Sequence, residues 1–172
     1  MACLTSGVAN PCGAKVSGGS NFIYLAEKAD VATVTVGPAG DITAIAMVAL
    51  AVFYKFEFDK KTGAVFTEEL TNETATQIVQ QYVMDFRGRS NVTRNAVMEL
   101  AACDCGLVVI HGENTGAVWL WGFDETEEAF LLSSSSTSGR LKSDANIETP
   151  TLQAMATEKA RVFTPGLAGI PV

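Results

Sequence analysis

Short segments rich in β-branched and aromatic residues recur along the chain, separated by turns that contain glycine, proline or asparagine. This feature limits the fold most, because such segments are typical of strands. In residues 31–36 (VATVTV) β-branched residues recur, and in residues 53–59 (FYKFEFD) aromatic and charged side chains alternate. A period of two places successive side chains on opposite faces of a strand. The pattern predicts a mainly β protein.

Other segments extend this prediction to six to nine strands, at residues 21–26, 64–70, 107–111, 117–123, 130–137 and 149–163. Residues 53–59 and 64–70 flank a polar turn with a glycine, which predicts a β-hairpin. Residues 75–87 fit a helix or a strand. The strand is favoured, since it gives one face that is apolar apart from a single glutamine: Ile78, Gln80, Tyr82, Met84 and Phe86. Residues 42–50 stay ambiguous, because periodicity does not separate the two structures there.

One helix is predicted, over residues 91–102 (NVTRNAVMELAA). Ser90 or Asn91 is suited to cap its N-terminus, and Gly106 lies just beyond its end. Apolar residues recur at helical spacing along one side: Val92, Ala96, Val97, Leu100 and Ala101. We therefore expect a β-barrel or β-sandwich with one flanking α-helix and extended loops or arms.

The 172 residues fit a single domain. Residues 1–20, rich in small residues, are expected to form a flexible N-terminal arm, and residues 21–163 one β-rich domain. Residues 164–172, broken by proline and glycine, are expected to form a C-terminal arm that docks on another surface.

The charge balance argues against a protein that grips nucleic acid. Twelve basic and nineteen acidic residues give a net charge of −7, whereas binding to phosphates requires concentrated lysine and arginine. An acidic chain is still able to surround DNA, because like charge repels the phosphates. Charged residues make up only 18% of the chain and apolar residues 48%. This surplus usually indicates that partners cover part of the surface or, less often, that the surface contacts lipid.

Membrane insertion is not expected. The longest uncharged apolar run, residues 42–54, has about 13 residues, and a spanning helix needs roughly 20. No basic segment followed by an apolar block stands at the N-terminus, so we expect assembly in the cytoplasm.

Candidate catalytic and metal-binding residues are few. His111, the single histidine, stands in an apolar run (LVVIHG) and is expected to be a hydrogen-bonded structural residue. The cysteines are expected to be reduced thiols. Their spacing is unlike that of zinc sites, although zinc or disulfide pairing stays an alternative for Cys3, Cys12, Cys103 and Cys105. The sequence predicts no enzyme, no catalytic residue, no metal and no cofactor.

The sequence also contains one acidic cluster and several strand aromatics. The densest acidic run, Asp124, Glu125, Glu127 and Glu128, is expected to be a solvated loop or to line an acidic surface or channel. It lacks the spacing of a calcium loop. Strand aromatics such as Phe56, Trp119 and Trp121 usually pack in a core or an interface. A ligand platform built from these three is the alternative.

From residue 22 to residue 163 the order of segments resembles tail-tube (major tail) proteins of tailed bacteriophages. The resemblance rests on FEFDKKTGAVFTEEL, on the helix in NVTRNAVMELAACDCGLVVI, on AVWLWGFDE, on the serine turn in SSSSTSGRLKSDANIET and on the closing TLQAMATEKARVF. It implies a virion structural protein that forms homo-oligomeric rings of six copies. The rings would stack into a tube for DNA passage and contact other tail or virion proteins.

The resemblance also implies candidate contact residues. The polar turn matches segments used between rings or subunits: Asp59, Lys60, Lys61, Thr62 and Gly63. The acidic run would line the channel. Three alternatives stay open: a small-ligand-binding β-barrel, another virion protein such as a tail terminator or capsid decoration protein, and an enzyme that uses Cys103 or Cys105.

Overall fold

The structure is a computed structural model that describes residues 19–57, 64–71, 77–103, 106–124, 126–139 and 146–172. The helix α1 spans Asn91–Ala102. The strands in the described residues are β1 (Ser20–Glu27), β2 (Val31–Val36), β3 (Ile42–Met47), β4 (Tyr54–Glu57), β5 (Ala64–Thr71), β6 (Gln77–Met84), β7 (Phe86–Arg87), β8 (Leu107–Glu113), β9 (Val118–Trp121), β10 (Phe130–Thr137), β11 (Ile147–Ala156) and β12 (Arg161–Val162). The prediction of a mainly β fold with one helix is confirmed.

Ten strands form one antiparallel sheet in the order β10-β11-β6-β5-β1-β8-β9-β12, with β4 beside β1 and β7 beside β11. The strands β2 and β3 form a separate two-stranded sheet. In the described residues the large sheet ends at β10 on one side and β12 on the other, so it does not close into a barrel. Of the two predicted architectures, the sandwich-like one fits.

The two halves of the large sheet join at β5 and β1, where Ser20 pairs with Ala64, and their inner faces pack together. The ring of Phe66 on β5 lies 4.4 Å from His111 on β8 and 5.4 Å from Trp121 on β9, between centroids. We call the residues buried between these halves the first core cluster. It includes Ile23, Leu25, Tyr82, Met84, Val109, Trp121 and Leu152.

A second core cluster lies on the opposite face of β1, β8 and β9. It consists of Ala26, Ile42, Phe53, Val108, Ile110, Val118, Leu120, Phe163 and Ile170. Val34, Ile45 and Met47 of the β2–β3 sheet pack against it and are partly buried. β8 is therefore buried on both faces, which explains its continuous apolar sequence.

β6 confirms the strand prediction for this segment. Ile78, Gln80, Tyr82 and Met84 are buried, while the residues between them are more exposed. Phe86, on β7 after a break at Asp85, is also buried. The buried face of this segment is thus apolar apart from Gln80. Tyr82, Met84 and Phe86 on this face belong to the first core cluster.

The hairpin predicted from residues 53–59 and 64–70 is wrong, although both segments contain strands. β4 pairs antiparallel with β1, and β5 begins antiparallel to β1 at the same edge, opposite β8. Two strands antiparallel to the same strand run in the same direction and cannot form a hairpin. β5 pairs with β6 instead.

The helix α1 has the bounds that the sequence predicts. Ser90 caps its N-terminus: its Oγ accepts from the Thr93 backbone N–H at 3.2 Å, and the Thr93 Oγ1 accepts from the Ser90 N–H at 2.9 Å. Val97 and Leu100 are buried against the first core cluster. Val92, expected on the apolar side, is 79% exposed.

The C-terminal residues pack on the chain itself. The Phe53 N–H donates to the Pro171 carbonyl at 2.8 Å, and the Thr164 N–H donates to the Ile42 carbonyl at 2.9 Å. A short 3-10 helix spans Leu167–Gly169, and Ile170 is buried in the second core cluster. This segment closes one side of that cluster.

Candidate functional site

Residues 31–54, which we call the low-charge hairpin, form an exposed surface with few charges. They comprise β2, β3, the turns around them and Tyr54 at the start of β4, with Asp41 as the one charged residue. The Asp41 carboxylate accepts a hydrogen bond from the Thr164 hydroxyl. The exposed part of the hairpin therefore presents little besides apolar and hydroxyl side chains to the solvent.

The apolar side chains of the low-charge hairpin are exposed at its edges. Val36 is 45% exposed, Val48 is 47% exposed and Tyr54 is 65% exposed. Leu50 is fully exposed, at 101% of its reference area. Val36 lies at the Ile42 end of the hairpin, whereas Val48 and Leu50 follow its other end, at Met47. Exposed large apolar side chains on a surface with few charges are typical of contact surfaces.

The backbone at Leu50 is unusual as well. Its φ of +70° makes it the only non-glycine residue in the described ranges with a positive φ. A leucine in this left-handed region is sterically disfavoured by about 1–2 kcal/mol. The turn thus projects a large apolar side chain outward at an energetic cost, which favours a functional reason for its position.

A second exposed edge is β10, at one end of the large sheet. Its eight residues (FLLSSSST) carry no charge, and Phe130 and Leu132 are 40% and 46% exposed. Edge strands are usually protected by lysine, proline or a bulge, because their free backbone groups can pair with another strand. β10 contains no lysine or proline, and its register shift between Leu131 and Ser133 is the single feature of this kind.

The acidic run lies between β9 and β10. Asp124 is exposed, whereas Glu127 and Glu128 are half-buried. Glu127 Oε1 accepts from the Thr157 N–H at 2.7 Å and from the Thr157 hydroxyl at 2.6 Å, so it fixes the end of β11. The fourth member, Glu125, lies outside the described residues.

Glu127 and Asp124 line a cavity of about 280 Å³ near the ends of β9 and β11. Its lining includes the buried residues Leu120, Trp121 and Ala156 and the charged residues Asp124, Glu127, Glu158, Lys159 and Arg161. Arg161 is already engaged, since its guanidinium donates to the Gly40 carbonyl at 2.7 Å and pairs with Glu158.

The buried amide of Gln80 also lines this cavity. Its Nε2 donates to Glu68 Oε1 at 3.0 Å and to the Glu158 carbonyl at 3.3 Å. Its Oε1 has no hydrogen-bond partner among the residues that the structure describes. The sequence shows Gln80 as the polar exception on an apolar strand face, but nothing in the sequence places it at a cavity.

His111 is completely buried beside the rings of Phe66 and Tyr82, and its imidazole is hydrogen-bonded, as the sequence predicts. The Trp121 Nε1–H donates to His111 Nδ1 at 3.2 Å. Burial lowers the pKa of His111 to about 3, so the imidazole is neutral at ordinary pH and its proton is on Nε2. Burial also raises the pKa of the neighbouring Tyr82 hydroxyl.

The alternative ligand platform of Phe56, Trp119 and Trp121 does not form one common pocket. Trp121 is 1% exposed and belongs to the first core cluster, and Phe56 and Trp119 pack against that cluster. Trp121 contributes to the cavity beside Gln80, whereas Phe56 lines a separate depression between β4 and α1.

The sequence also singles out the four cysteines and the polar turn. The Cys103 Sγ lies 3.3 Å from the Glu99 carbonyl, while Cys3, Cys12 and Cys105 lie outside the described residues. The polar turn at residues 59–63 also lies outside the described residues. Across the described ranges, no three histidine, cysteine or acidic side chains are grouped to hold a metal ion. No helix there has the length and apolarity to cross a membrane.

No family model, curated protein or solved structure matches this chain. Function is therefore inferred from the surfaces and the cavity described above.

Proposed function

We propose that this chain is a structural subunit that assembles with copies of itself into stacked rings, as a tail-tube protein of a bacteriophage virion. The observation that carries self-assembly is the low-charge hairpin, which exposes Val36, Val48, Leu50 and Tyr54 on a surface whose single charge faces the chain's own C-terminal segment. The more specific assignment as a tail-tube protein depends in addition on the resemblance of the sequence to that family.

The energetics support a contact at the hairpin. Complete burial of one valine, leucine or phenylalanine-sized side chain contributes about 1.5–3 kcal/mol. The turn at Leu50 carries its backbone strain in the monomer without any packing in return, since the side chain is fully exposed. A partner that covers Leu50 supplies the missing burial.

The β10 edge offers a second contact of a different kind. Strand addition at a sheet edge satisfies backbone N–H and C=O groups and extends the sheet into the next copy. Contacts at the hairpin and at β10 are two separate surfaces on one subunit. A ring needs a head-to-tail contact between two different patches of each subunit, and a stack of rings needs a further contact.

The net charge of −7 fits the proposed passage of DNA. A channel lined by carboxylates repels phosphates and keeps the DNA from adhering. We propose Asp124, Glu125, Glu127 and Glu128 as part of that lining, and Asp59, Lys60, Lys61, Thr62 and Gly63 as part of the contact between subunits or rings.

Negative-stain electron microscopy combined with light scattering tests self-assembly. We expect rings or hollow tubes from the unmodified chain, and a species near the subunit mass of 18.2 kDa from the Val48→Glu and Leu50→Lys double variant. Val92→Lys is the matched control, because Val92 is an exposed apolar residue on α1 outside the hairpin. A monodisperse monomer of the unmodified chain at high concentration would contradict the proposal.

Deletion of residues 60–63 tests the polar turn separately. We expect shorter or absent tubes from the deletion variant, with secondary structure kept by circular dichroism. Unchanged tubes would remove this turn from the proposed contact and leave the hairpin contact intact.

A further inference from the structure

The depression between β4 and α1 has a volume of about 370 Å³ and presents aromatic surface to a partner. Tyr54 and Phe56 on β4 pair with Leu25 and Ile23 on β1. Directly paired residues share one face of a sheet, and here it is the face that packs against α1 in the first core cluster. The side chain of Tyr54 is 65% exposed, and Phe56 is half-buried. Both rings are therefore within reach of a group that enters the depression.

The same depression is lined by three carboxylates, those of Glu27, Asp30 and Glu99, and we call it the acidic groove. Glu27 and Glu99 are exposed, and Asp30 is half-buried. None of the three forms an ion pair with a basic residue of the described chain. Lys55 is the single basic residue of the lining, and its ammonium group is paired with Glu57 at 2.5 Å. The groove thus presents uncompensated negative charge beside its aromatic rings.

Positive charge stands at the other end of α1. Arg89 and Arg94, which we call the basic patch, are exposed and line a second depression together with Glu148. The Arg94 Nη1 donates to the neutral Asn95 Oδ1 at 3.2 Å. Within the described ranges neither guanidinium forms an ion pair with a carboxylate, that of Glu148 included. Two cations are therefore available to a partner.

The charges of α1 are arranged against its dipole. A helix is stabilised by anions near its N-terminus and by cations near its C-terminus. The first turn of α1 contains Arg94 and no acidic residue, and the last turn contains Glu99 and no basic residue. This arrangement is unfavourable within one chain, which favours a contact between chains as the reason for it.

We propose that the basic patch of one copy docks in the acidic groove of the next copy. The contact rests on the proposed function, since it requires assembly with copies of the same chain. The guanidinium groups pair with Glu27 and Glu99 and stack on the exposed ring of Tyr54. The two patches are different parts of one subunit, so the contact is head-to-tail, as a ring requires. Tyr54 also belongs to the low-charge hairpin, so a copy seated in the groove covers part of that hairpin.

Charge reversal followed by mixing tests the contact. Arg89→Glu/Arg94→Glu reverses the sign of the basic patch, and Glu27→Lys/Glu99→Lys reverses that of the groove. Each double variant by itself then has two patches of like charge. We expect its association constant, measured by sedimentation equilibrium, to fall about tenfold or more. An equimolar mixture of the two variants has opposite charges at every contact when they alternate, so it should recover the association of the unmodified chain.

Controls separate the contact from folding and from net charge. Lys159→Glu and Glu69→Lys reverse exposed charges outside both patches and should leave association unchanged. The reversals at Arg94 and Glu99 should not lower the melting temperature by circular dichroism, because both favour the dipole of α1. Val92, about 200° from Arg94 around the helix, lies outside the basic patch. Raising NaCl from about 50 mM to about 500 mM should weaken the association of the unmodified chain.

The possible results distinguish this contact from the proposed function. Rings or tubes that persist in both double variants would overturn the contact and leave the proposed function in place. Loss of association without recovery in the mixture would also overturn the contact. Oligomers that follow the charge pattern but form neither rings nor tubes would support the contact and contradict the tail-tube assignment. An unmodified chain that stays monomeric at every concentration would contradict both.

Discussion

The two sides of β8 are both buried, but by different kinds of packing. On the first side, aromatic rings enclose polar groups: Phe66 and Trp121 pack around His111, and Trp121 donates to it. On the second side the buried cluster is entirely apolar, and a two-stranded hairpin and the C-terminal segment cover it. The first side is therefore specified by hydrogen bonds as well as by shape, and the second by apolar burial alone.

The two sides of β8 also differ in the thickness of the layer that covers them. The layer that covers the second side is thin, because the low-charge hairpin has only two strands and exposes its outer face. A two-stranded sheet is marginally stable by itself. The hairpin therefore depends on the second core cluster beneath it and, in our proposal, on a partner above it.

The largest effect is expected on the first side. Trp121→Ala should lower the free energy of unfolding by about 3–5 kcal/mol, because it opens a cavity in the first core cluster and removes the donor to His111. Urea denaturation followed by circular dichroism measures this change. A loss under about 1 kcal/mol would contradict the role given to this residue.

A smaller and more local effect is expected on the second side. Ile42→Ala should cost about 2–4 kcal/mol, since Ile42 is fully buried in the second core cluster. Hydrogen exchange should show faster exchange in β2 and β3 than in β5 and β6. Uniform acceleration over all strands would show that the two sides do not differ in this way.

The polar group on the first side predicts a dependence on pH. The pKa of His111 is lowered to about 3 by burial, whereas an unfolded histidine titrates near about 6.5. Between these values the unfolded state binds more protons, so the free energy of unfolding falls as the pH is lowered from about 6.5 toward 3, by up to about 1.4 kcal/mol per pH unit.

His111→Gln isolates this contribution, because glutamine is able to accept from Trp121 but does not titrate. Urea denaturation between about pH 4 and pH 7 should give a shallower slope for His111→Gln than for the unmodified chain. Coincident slopes would mean that His111 is not buried as a neutral group.

The smallest effect has opposite signs for the monomer and the assembly. Leu50→Gly should stabilise the monomer by about 0.5–1 kcal/mol, because glycine accepts the positive φ and no packing is lost at a fully exposed side chain. The same variant should weaken self-assembly, as seen by light scattering. Ala49→Gly, whose φ is not positive, is the control and should lower the stability of the monomer slightly.

Local sequence was a good guide to the elements themselves. The bounds of β2 and of the helix α1 agree with the prediction, because strand alternation and an N-terminal cap are properties of adjacent residues. β6 was identified by its apolar face, which needed only the period of the pattern. Residues 42–50 could not be assigned, because β3 has one face on the second core cluster and an outer face that is also uncharged, so no alternation marks it.

Pairing was predicted less well, and the site only in part. β4 and β5 are close in sequence but pair with β1 and β6, since the partner of a strand depends on which edge is free in the assembled sheet. The acidic run was recognised, but the bonds from Thr157 to Glu127 were not. Gln80 stood out in the sequence, whereas its cavity is formed by residues between 36 and 161 that meet only in the folded chain.

The sequence by itself determined the mainly β class, the position of the single helix and the acidic charge, because each follows from composition or from spacing between near neighbours. Tertiary structure decided which strands pair and that the sheet stays open. It also decided that Leu50 projects into solvent and that Gln80 lies beside a cavity. These depend on contacts between residues distant in sequence, whose free energies no local pattern records.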